Sequence, residues 1–297
     1  MSTLPPGVTT DVPLSRFTTI GTGGLAQYLA EPNEELALQT MLEWAEQEQL
    51  AIAVIGLGSN LLPADTGFAG LVLRLDGALA AIEVTETGVI AGGGATLATV
   101  VRKVGEAGLA GFEFACAIPG TIGGAVRMNA GAYGRECKDV LVGVTICSAN
   151  GIRRADADEL ALTYRHSNLK PGEIVTQAEL ALAPGDPADI KALVREYQDR
   201  RSAAQPRKAR TFGSVFKNPA GEQTSGQILE ACGLKGYTVG GARISEKHAN
   251  FIENFADATS ADVLALMVEA RRRAREQFGV ELEHEVQTLG DIVIPPA

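Results

Sequence analysis

This chain is poor in the residues that usually mark a metal site or a disulfide framework. Its 297 residues include four cysteines and three histidines. Cys116, Cys137, Cys147 and Cys232 form no Cys-x-x-Cys pair, and His166, His248 and His284 have no metal-ligand spacing. The thiols are therefore expected to be reduced, and no metal is expected. No apolar run reaches the length of a membrane-spanning helix. The start, Met1 to Pro6, lacks the charged and apolar regions of a signal peptide. A cytoplasmic protein without membrane association is the expectation. Positive charge is also short, with a net charge of −10, which argues against a nucleic-acid or membrane-surface partner but not against small anionic ligands. Gly-Lys-Ser/Thr does not occur, so there is no P-loop.

What remains is a globular composition, with 45% hydrophobic and 21% charged residues. The length fits two domains or one elaborate one. Ala51–Ile55 and Leu71–Leu75 read as strands. Ile82–Thr85 and Val89–Gly92 read as a hairpin across Glu86-Thr87-Gly88. Thr96–Ala107 reads as a helix ended by Gly108, and a short helix is expected near Ile122–Asn129. Val140–Ser148 and Ile152–Ala155 flank Asn150-Gly151, the pair that favours a type I′ hairpin turn. Glu173–Leu182 reads as a strand and Ala188–Ala203 as a helix. The character changes near Gln205-Pro206. A loop, Thr211–Pro219, is followed by a helix at Gly226–Cys232, a strand at Ala249–Glu253, a helix at Ala261–Phe278 and a strand at Val280–Leu289. In the long helix Val263, Leu266, Met267 and Ala270 share a face, and Arg271, Arg272, Arg273 and Arg275 read as a solvated end that complements the helix dipole. Strands and helices mix without regular βαβ alternation, so the expected class is α+β.

Two glycine-rich loops stand out, Gly56–Leu62 and Pro119–Ala125. The first follows a strand but fails as a dinucleotide fingerprint: position 61 is Leu, and Pro63, Asp65 and Gly67 make a loop where the helix should begin. Backbone N–H groups around glycines can still converge on a phosphate, and Ser59 and Asn60 can add donors. A plain strand-terminal turn explains the same residues equally well. The second loop sets Pro119-Gly120 ahead of Thr121 and puts Gly123, Gly124 and Ala125 in the first helical turn. This makes either a pyrophosphate site on free N–H groups or a close helix-packing surface.

At this point a family resemblance can be named. Val54 to Leu62 resembles the first pyrophosphate loop of FAD domains of the vanillyl-alcohol-oxidase (PCMH) type. Ala117 to Gly134, Tyr164-Arg165, Gly213-Ser214-Val215-Phe216-Lys217-Asn218-Pro219 and His248-Ala249-Asn250-Phe251 resemble the UDP-N-acetylenolpyruvoylglucosamine reductases, over about Thr18 to Gly290. The resemblance implies an FAD-binding part of two subdomains, residues 1–78 with 280–297 and residues 79–208, plus a smaller α+β substrate-binding domain, residues 209–279. It implies bound FAD, NADPH as co-substrate and a UDP-sugar substrate. The reaction would reduce UDP-N-acetylglucosamine enolpyruvate to UDP-N-acetylmuramate for peptidoglycan synthesis, and hence for cell-wall growth, shape and division. For the cofactor it assigns Ile55, Gly56, Gly58, Ser59, Asn60 and Leu61 from the first loop. Pro119, Gly120, Thr121, Gly123, Gly124 and Ala125 come from the second, with Ile174 beyond them.

The resemblance also assigns the chemistry. Arg165 fits the cation facing the substrate carboxylate, Ser214 the proton donor and Glu285 a charge-stabilising group. From the residues alone, Arg165 reads sooner as a solvated surface arginine and Ser214 as a turn residue, and Glu285 alternates with Glu281 and Glu283 on one strand face. Tyr133, Lys217 and Asn218 are the candidates for substrate contact. Between Arg200 and Lys217 lie six basic residues (Arg200, Arg201, Arg207, Lys208, Arg210, Lys217) and no acidic one, which suits a diphosphate or an exposed hinge. The chain lacks the long insertion with a closing tyrosine after Asn218-Pro219, which puts it in the compact branch. It also has Phe17 where Asn is common, which weakens any role for that position. Two other classes compete: an FAD-dependent alcohol or aldonolactone oxidase, and a flavin-binding module without turnover.

Overall fold

The Ile174–Ala181 strand organises the first half of the molecule. Its residues alternate towards the core, and it has a partner on each side: Leu141–Ser148 and Gly88–Gly92, both antiparallel. Each partner continues into a hairpin, with Gly151–Asp156 on one side and Ile82–Thr85 on the other, completing a five-stranded antiparallel sheet. The computed structural model describes residues 3–206 and 209–295. By Cα proximity the chain forms two compact units. The first is Met1–Thr10, Tyr28–Leu57 and Gly70–Arg201; the second is Asp11–Gln27, Gly58–Ala69 and Ser202–Ala297.

In the first unit the Leu97–Glu106 helix buries Leu97, Val100, Val101 and Val104, at the spacing of one helical face. They join a core with sheet residues Val89, Val144, Ile146 and Ala178. A smaller cluster gathers Leu38, Met41, Leu42 and Ala45 of the Glu35–Gln47 helix under Leu71 and Leu73. Those leucines lie in the Phe68–Leu73 strand, which pairs in parallel with Ala51–Val54. In the second unit the Ser260–Phe278 helix buries Val263, Leu266, Met267, Ala270 and Ala274 against Phe212, Val215, Phe216, Ile228 and Leu229. Thr259 and Asp262 close a reciprocal capping box at its start, and Gly279 ends it with φ +65°.

Several expectations need correction. The strand expected at Val280–Leu289 is regular only at Gln287–Leu289, which pairs in parallel with Leu61–Pro63. Upstream, Lys217 N–H bonds to Glu283 O and Glu285 N–H to Val215 O, so the neighbour there is a loop and the ladder is interrupted. The strand expected at Ala249–Glu253 is Ile252–Asn254, because Phe251 N–H turns back to His248 O. At Asn150-Gly151 the hairpin closes with Ser148 opposite Gly151, so Ala149 and Asn150 form the loop. Only Gly151 there has positive φ, +109°, so the turn is not type I′, which needs two such residues. The arginines that end the long helix include exposed Arg272 and Arg275, in keeping with a solvated end, and they also have partners: Arg272 has Glu269 and Glu276, Arg273 has Glu269, Arg275 has Glu281, and Arg271 Nε has Leu282 O. Cys116, Cys137, Cys147 and Cys232 are free thiols. Burial pushes Cys116 and Cys147 up to about 11 and Cys137 up to about 12. Among the described residues no helix is long and apolar enough to cross a membrane.

Candidate active site

The two glycine loops meet in the first unit. Ile55, Gly56 and Leu57 from one loop, and Thr121, Gly123 and Gly124 from the other, line a cleft of about 530 Å³. That volume lies inside the range of roughly 300–1,000 Å³ usual for small-molecule and cofactor sites. The loops touch: a Cβ at Gly56 would stand 2.6 Å from Thr121 Oγ1. Ile174 also lines the cleft, as do Arg74 and Arg127. A third glycine run, Gly93-Gly94-Ala95-Thr96, lines it too. This run was missed in the sequence, although the Gly92-Gly93-Gly94 triplet after a strand was there to be read.

Gly123 and Gly124 have different reasons to be glycine. At Gly123 a Cβ would press on Gly93 O at 3.1 Å and Val175 O at 3.2 Å, so close backbone packing demands it. At exposed Gly124 the nearest atom would be Thr121 Oγ1, at 3.7 Å. Nothing crowds that position, and a side chain there would occupy the cleft. Two of the helix N–H groups expected to be free are taken: Ile122 N–H donates to Ala95 O at 2.9 Å and Gly123 N–H to Gly93 O at 2.8 Å. These donors hold the third glycine run in place, and the Thr121 side chain makes no cap bond. Polar side chains that line the cleft include Thr96 and Thr99, whose hydroxyls also bond each other at 2.8 Å, Thr121, Arg74 and Arg127, and the acids Glu31, Asp76 and Glu173. Arg74 pairs with Glu31, and Arg127 donates to Glu173 O at 2.7 Å.

The first loop is divided by role. From Gly58 onward its residues belong to the second unit and do not line this cleft. A Cβ at Gly58 would stand 1.9 Å from Phe17 O, and Gly58 O accepts Thr19 N–H at 3.1 Å. The Asn60 amide donates to Glu285 O at 3.1 Å. Pro119, Gly120 and Ala125, like Ser59 and Leu61, are outside the lining, and Ala125 is buried in the core.

Arg165 also lies in the first unit, on a tight turn. Thr163 and His166 exchange two backbone bonds of 3.1 Å, leaving Tyr164 and Arg165 as the loop, with Arg165 at φ +56°. The guanidinium donates to Gly131 O at 3.2 Å and lies 4.8 Å from the Tyr164 ring centroid. Fully buried Asn129 secures the turn by donating to Thr163 O at 3.0 Å and Glu136 Oε2 at 3.1 Å, while its Oδ1 accepts Lys138 N–H at 2.9 Å. Tyr133 is engaged within the same unit. Its hydroxyl donates to Tyr197 O at 2.7 Å, its ring stacks on Tyr197 at 4.1 Å, and desolvation raises its pKa.

Ser214 and Glu285 come together in the second unit. Gly213, at φ +85°, turns the chain into Ser214, which bridges Phe251; the next residue, Val215, accepts Glu285 N–H at 2.8 Å. Lys217 Nζ pairs with Glu283 at 2.5 Å. Asn218 Oδ1 accepts Ser225 N–H at 3.1 Å, at the start of the Ser225–Ala231 helix. The basic cluster is largely matched by local acids and carbonyls: Arg200 with Glu196, Arg201 with Ala117 O, Arg210 with Asp257 and Lys217 with Glu283. Arg207 and Lys208 lie outside the described residues.

Comparison with known proteins fits this division. Residues 26–156 match the family described as FAD binding domain, and residues 205–289 match the family described as UDP-N-acetylenolpyruvoylglucosamine reductase, C-terminal domain. The UDP-N-acetylenolpyruvoylglucosamine reductase of Agathobacter rectalis is 42% identical over 299 residues, covering 96% of this chain and 95% of its own. That of Sphingopyxis alaskensis is 43% identical over 285 residues, covering 95% of each chain. The crystal structure of the Thermus caldophilus UDP-N-acetylenolpyruvylglucosamine reductase, 35% identical, superposes with a TM-score of 0.83 over 94% of this chain and 97% of the other. Similarity of this degree along nearly the whole of both chains settles the matter of kinship: the chain belongs to the UDP-N-acetylenolpyruvoylglucosamine reductase family.

Proposed function

We propose that this chain binds FAD and catalyses the NADPH-dependent reduction of UDP-N-acetylglucosamine enolpyruvate to UDP-N-acetylmuramate. The carrying observation is the near full-length identity of 42–43% to reductases of that name. The first-unit cleft fits the flavin. Gly124 keeps one wall open, and Thr96, Thr99 and Thr121 offer hydroxyls to a diphosphate. Ile55, Gly56, Thr121, Gly123, Gly124 and Ile174 would hold the cofactor. When bound, it supplies two-electron chemistry, accepting hydride from NADPH and delivering it to the enolpyruvyl double bond.

The chain's own residues would manage the charge and the proton. Arg165 carries a permanent positive charge on a turn pinned by Asn129, suited to a bidentate pair with the substrate carboxylate. Ser214 would protonate the carbon next to that carboxylate. A serine hydroxyl is a weak acid, so it must be held in one place and its conjugate base supported. Glu285, one backbone bond away across Val215, would assist. Lys217 and Asn218 would reach the substrate, with Tyr133 a further contact. The three-part division at residues 78/79, 208/209 and 279/280 belongs to the same proposal, supported by the return of Gln287–Leu289 to Leu61–Pro63. A cytoplasmic setting follows from the NADPH and nucleotide-sugar substrates.

The test is anaerobic stopped-flow on the yellow protein. NADPH should bleach the flavin, and UDP-N-acetylglucosamine enolpyruvate should restore it. Ser214→Ala should leave bleaching intact and slow restoration by about 10²-fold or more, the loss usual for a positioned acid. Restoration at the wild-type rate removes Ser214 as donor. A colourless protein that takes up no FAD overturns the whole reading, and reoxidation by oxygen with an alcohol as reductant would favour an oxidase.

A further inference from the structure

The Gly213–Lys217 stretch lacks a continuous strand partner, yet it is tied on both sides. Val215 N–H donates to Asn250 O at 2.9 Å, and Val215 O accepts Glu285 N–H at 2.8 Å. One residue further on, the partner is a side chain. Phe216 N–H donates to Asn250 Oδ1 at 2.9 Å, and Asn250 Nδ2–H donates to Phe216 O at 2.8 Å. A carboxamide offers the donor and acceptor that a backbone peptide offers, so this side chain stands in for a residue of a neighbouring strand. Asn250 is 3% exposed, where unmade hydrogen bonds are costly. It is itself fixed, because its N–H donates to His248 Nδ1 at 3.2 Å. Three bonds from one residue therefore hold the two residues that follow Ser214, and Gly213, at φ +85°, turns the chain into it.

We propose that Asn250 is the positioning residue for Ser214. Its amide locks the backbone of Val215 and Phe216, and so fixes where the Ser214 hydroxyl points. The proposal rests on Ser214 being the proton donor. A core amide with only a structural role would slow every step in proportion to lost folded protein. A positioning amide slows the proton-delivering half-reaction alone.

The experiment uses FAD-loaded protein with Asn250→Ala, Ser214→Ala and the double variant. Asn250→Ala should keep its FAD content and its rate of reduction by NADPH within about twofold, and lose at least about tenfold in reoxidation by UDP-N-acetylglucosamine enolpyruvate. In the Ser214→Ala background the same change should lose no more than about twofold further, since residues acting through one group are not additive. Amide exchange should quicken at Val215 and Phe216 while the Ser260–Phe278 helix keeps its protection. Wild-type reoxidation by Asn250→Ala, equal slowing of both half-reactions, or full additivity with Ser214→Ala overturns the positioning role and leaves the donor assignment standing. Normal reoxidation by Ser214→Ala overturns the donor assignment, and this proposal with it. Asn250→Asp keeps the shape but loses the donor to Phe216 O, and serves if the alanine variant does not fold; its reoxidation at the wild-type rate also overturns the proposal.

Discussion

Two buried asparagines tie down the two turns that carry the candidate catalytic residues, and they do it differently. In the second unit both side-chain bonds of Asn250 go to one residue, Phe216. In the first unit the Asn129 amide is shared among Thr163, Glu136 and Lys138, which belong to two separate segments of chain. The first arrangement fixes one loop; the second ties two segments together. On the proposal above, a buried polar group serves one candidate catalytic turn locally in one place and ties separate segments together in the other.

The largest expected effect breaks the broader knot. Asn129→Ala removes the partner of Lys138 N–H, takes one of two donors from Thr163 O, which keeps His166 N–H, and puts alanine at φ +40° in a fully buried position. The stranded Lys138 N–H costs about 1–3 kcal/mol and the left-handed backbone about 1 more, so about 2–4 kcal/mol of stability should be lost. Urea unfolding of the flavin-free protein measures it. A loss below about 1 kcal/mol would erase the contrast with Asn250. Next comes Arg165→Met, which keeps the turn but removes the charge. Reoxidation of reduced flavin by substrate should fall by about 10²-fold with flavin content unchanged, as for loss of a group that stabilises developing charge. Normal turnover would reduce the Thr163–His166 turn to a structural feature.

The cleft sharpens the comparison by separating two adjacent glycines. Gly124→Leu should lower FAD affinity by tenfold or more, about 1.4 kcal/mol, with little change in apoprotein stability. Gly123→Ala acts on packing, since its Cβ would meet Gly93 O at 3.1 Å. Flavin absorbance and thermal unfolding, read on both variants, check this. Unaltered FAD binding by Gly124→Leu would remove that wall from the site.

What the sequence made legible follows from where chemistry is written in runs. The Leu97–Glu106 and Ser260–Phe278 helices were visible because apolar spacing and capping residues coincide there. The Glu35–Gln47 helix, with Leu38, Met41, Leu42 and Ala45 at the right spacing, was overlooked because Glu34 makes no cap bond and nothing marks its start. The Val8–Pro13 strand hides behind Asp11, at φ +54°, and a proline at its end. Gly56 and Gly123 declared themselves, yet two of the helix N–H groups expected to be free, those of Ile122 and Gly123, bond to Ala95 and Gly93. Asn129 and Asn250 carry no periodic mark, since each replaces a backbone partner supplied by a distant segment.

The smallest expected effect concerns charge at the far end of the second unit's long helix. Arg272 and Arg273 bond the Glu269 carboxylate and hold its pKa down to about 2, against an ordinary 4.5. A depressed carboxylate stabilises the fold above its ordinary pKa, and that contribution fades as pH falls from about 4.5 towards about 2. Glu269→Gln should therefore cost below about 1 kcal/mol at neutral pH, because the pair is partly solvated, and should flatten this stretch of the acid limb. Thermal unfolding of wild type and variant from pH 7 to pH 2 measures it. The two curves should converge at the acid end; a gap that persists at pH 2 would assign Glu269 to packing rather than charge. The kinetics of both half-reactions should stay unchanged throughout, which sets this ion-paired surface apart from the asparagine-bound turns.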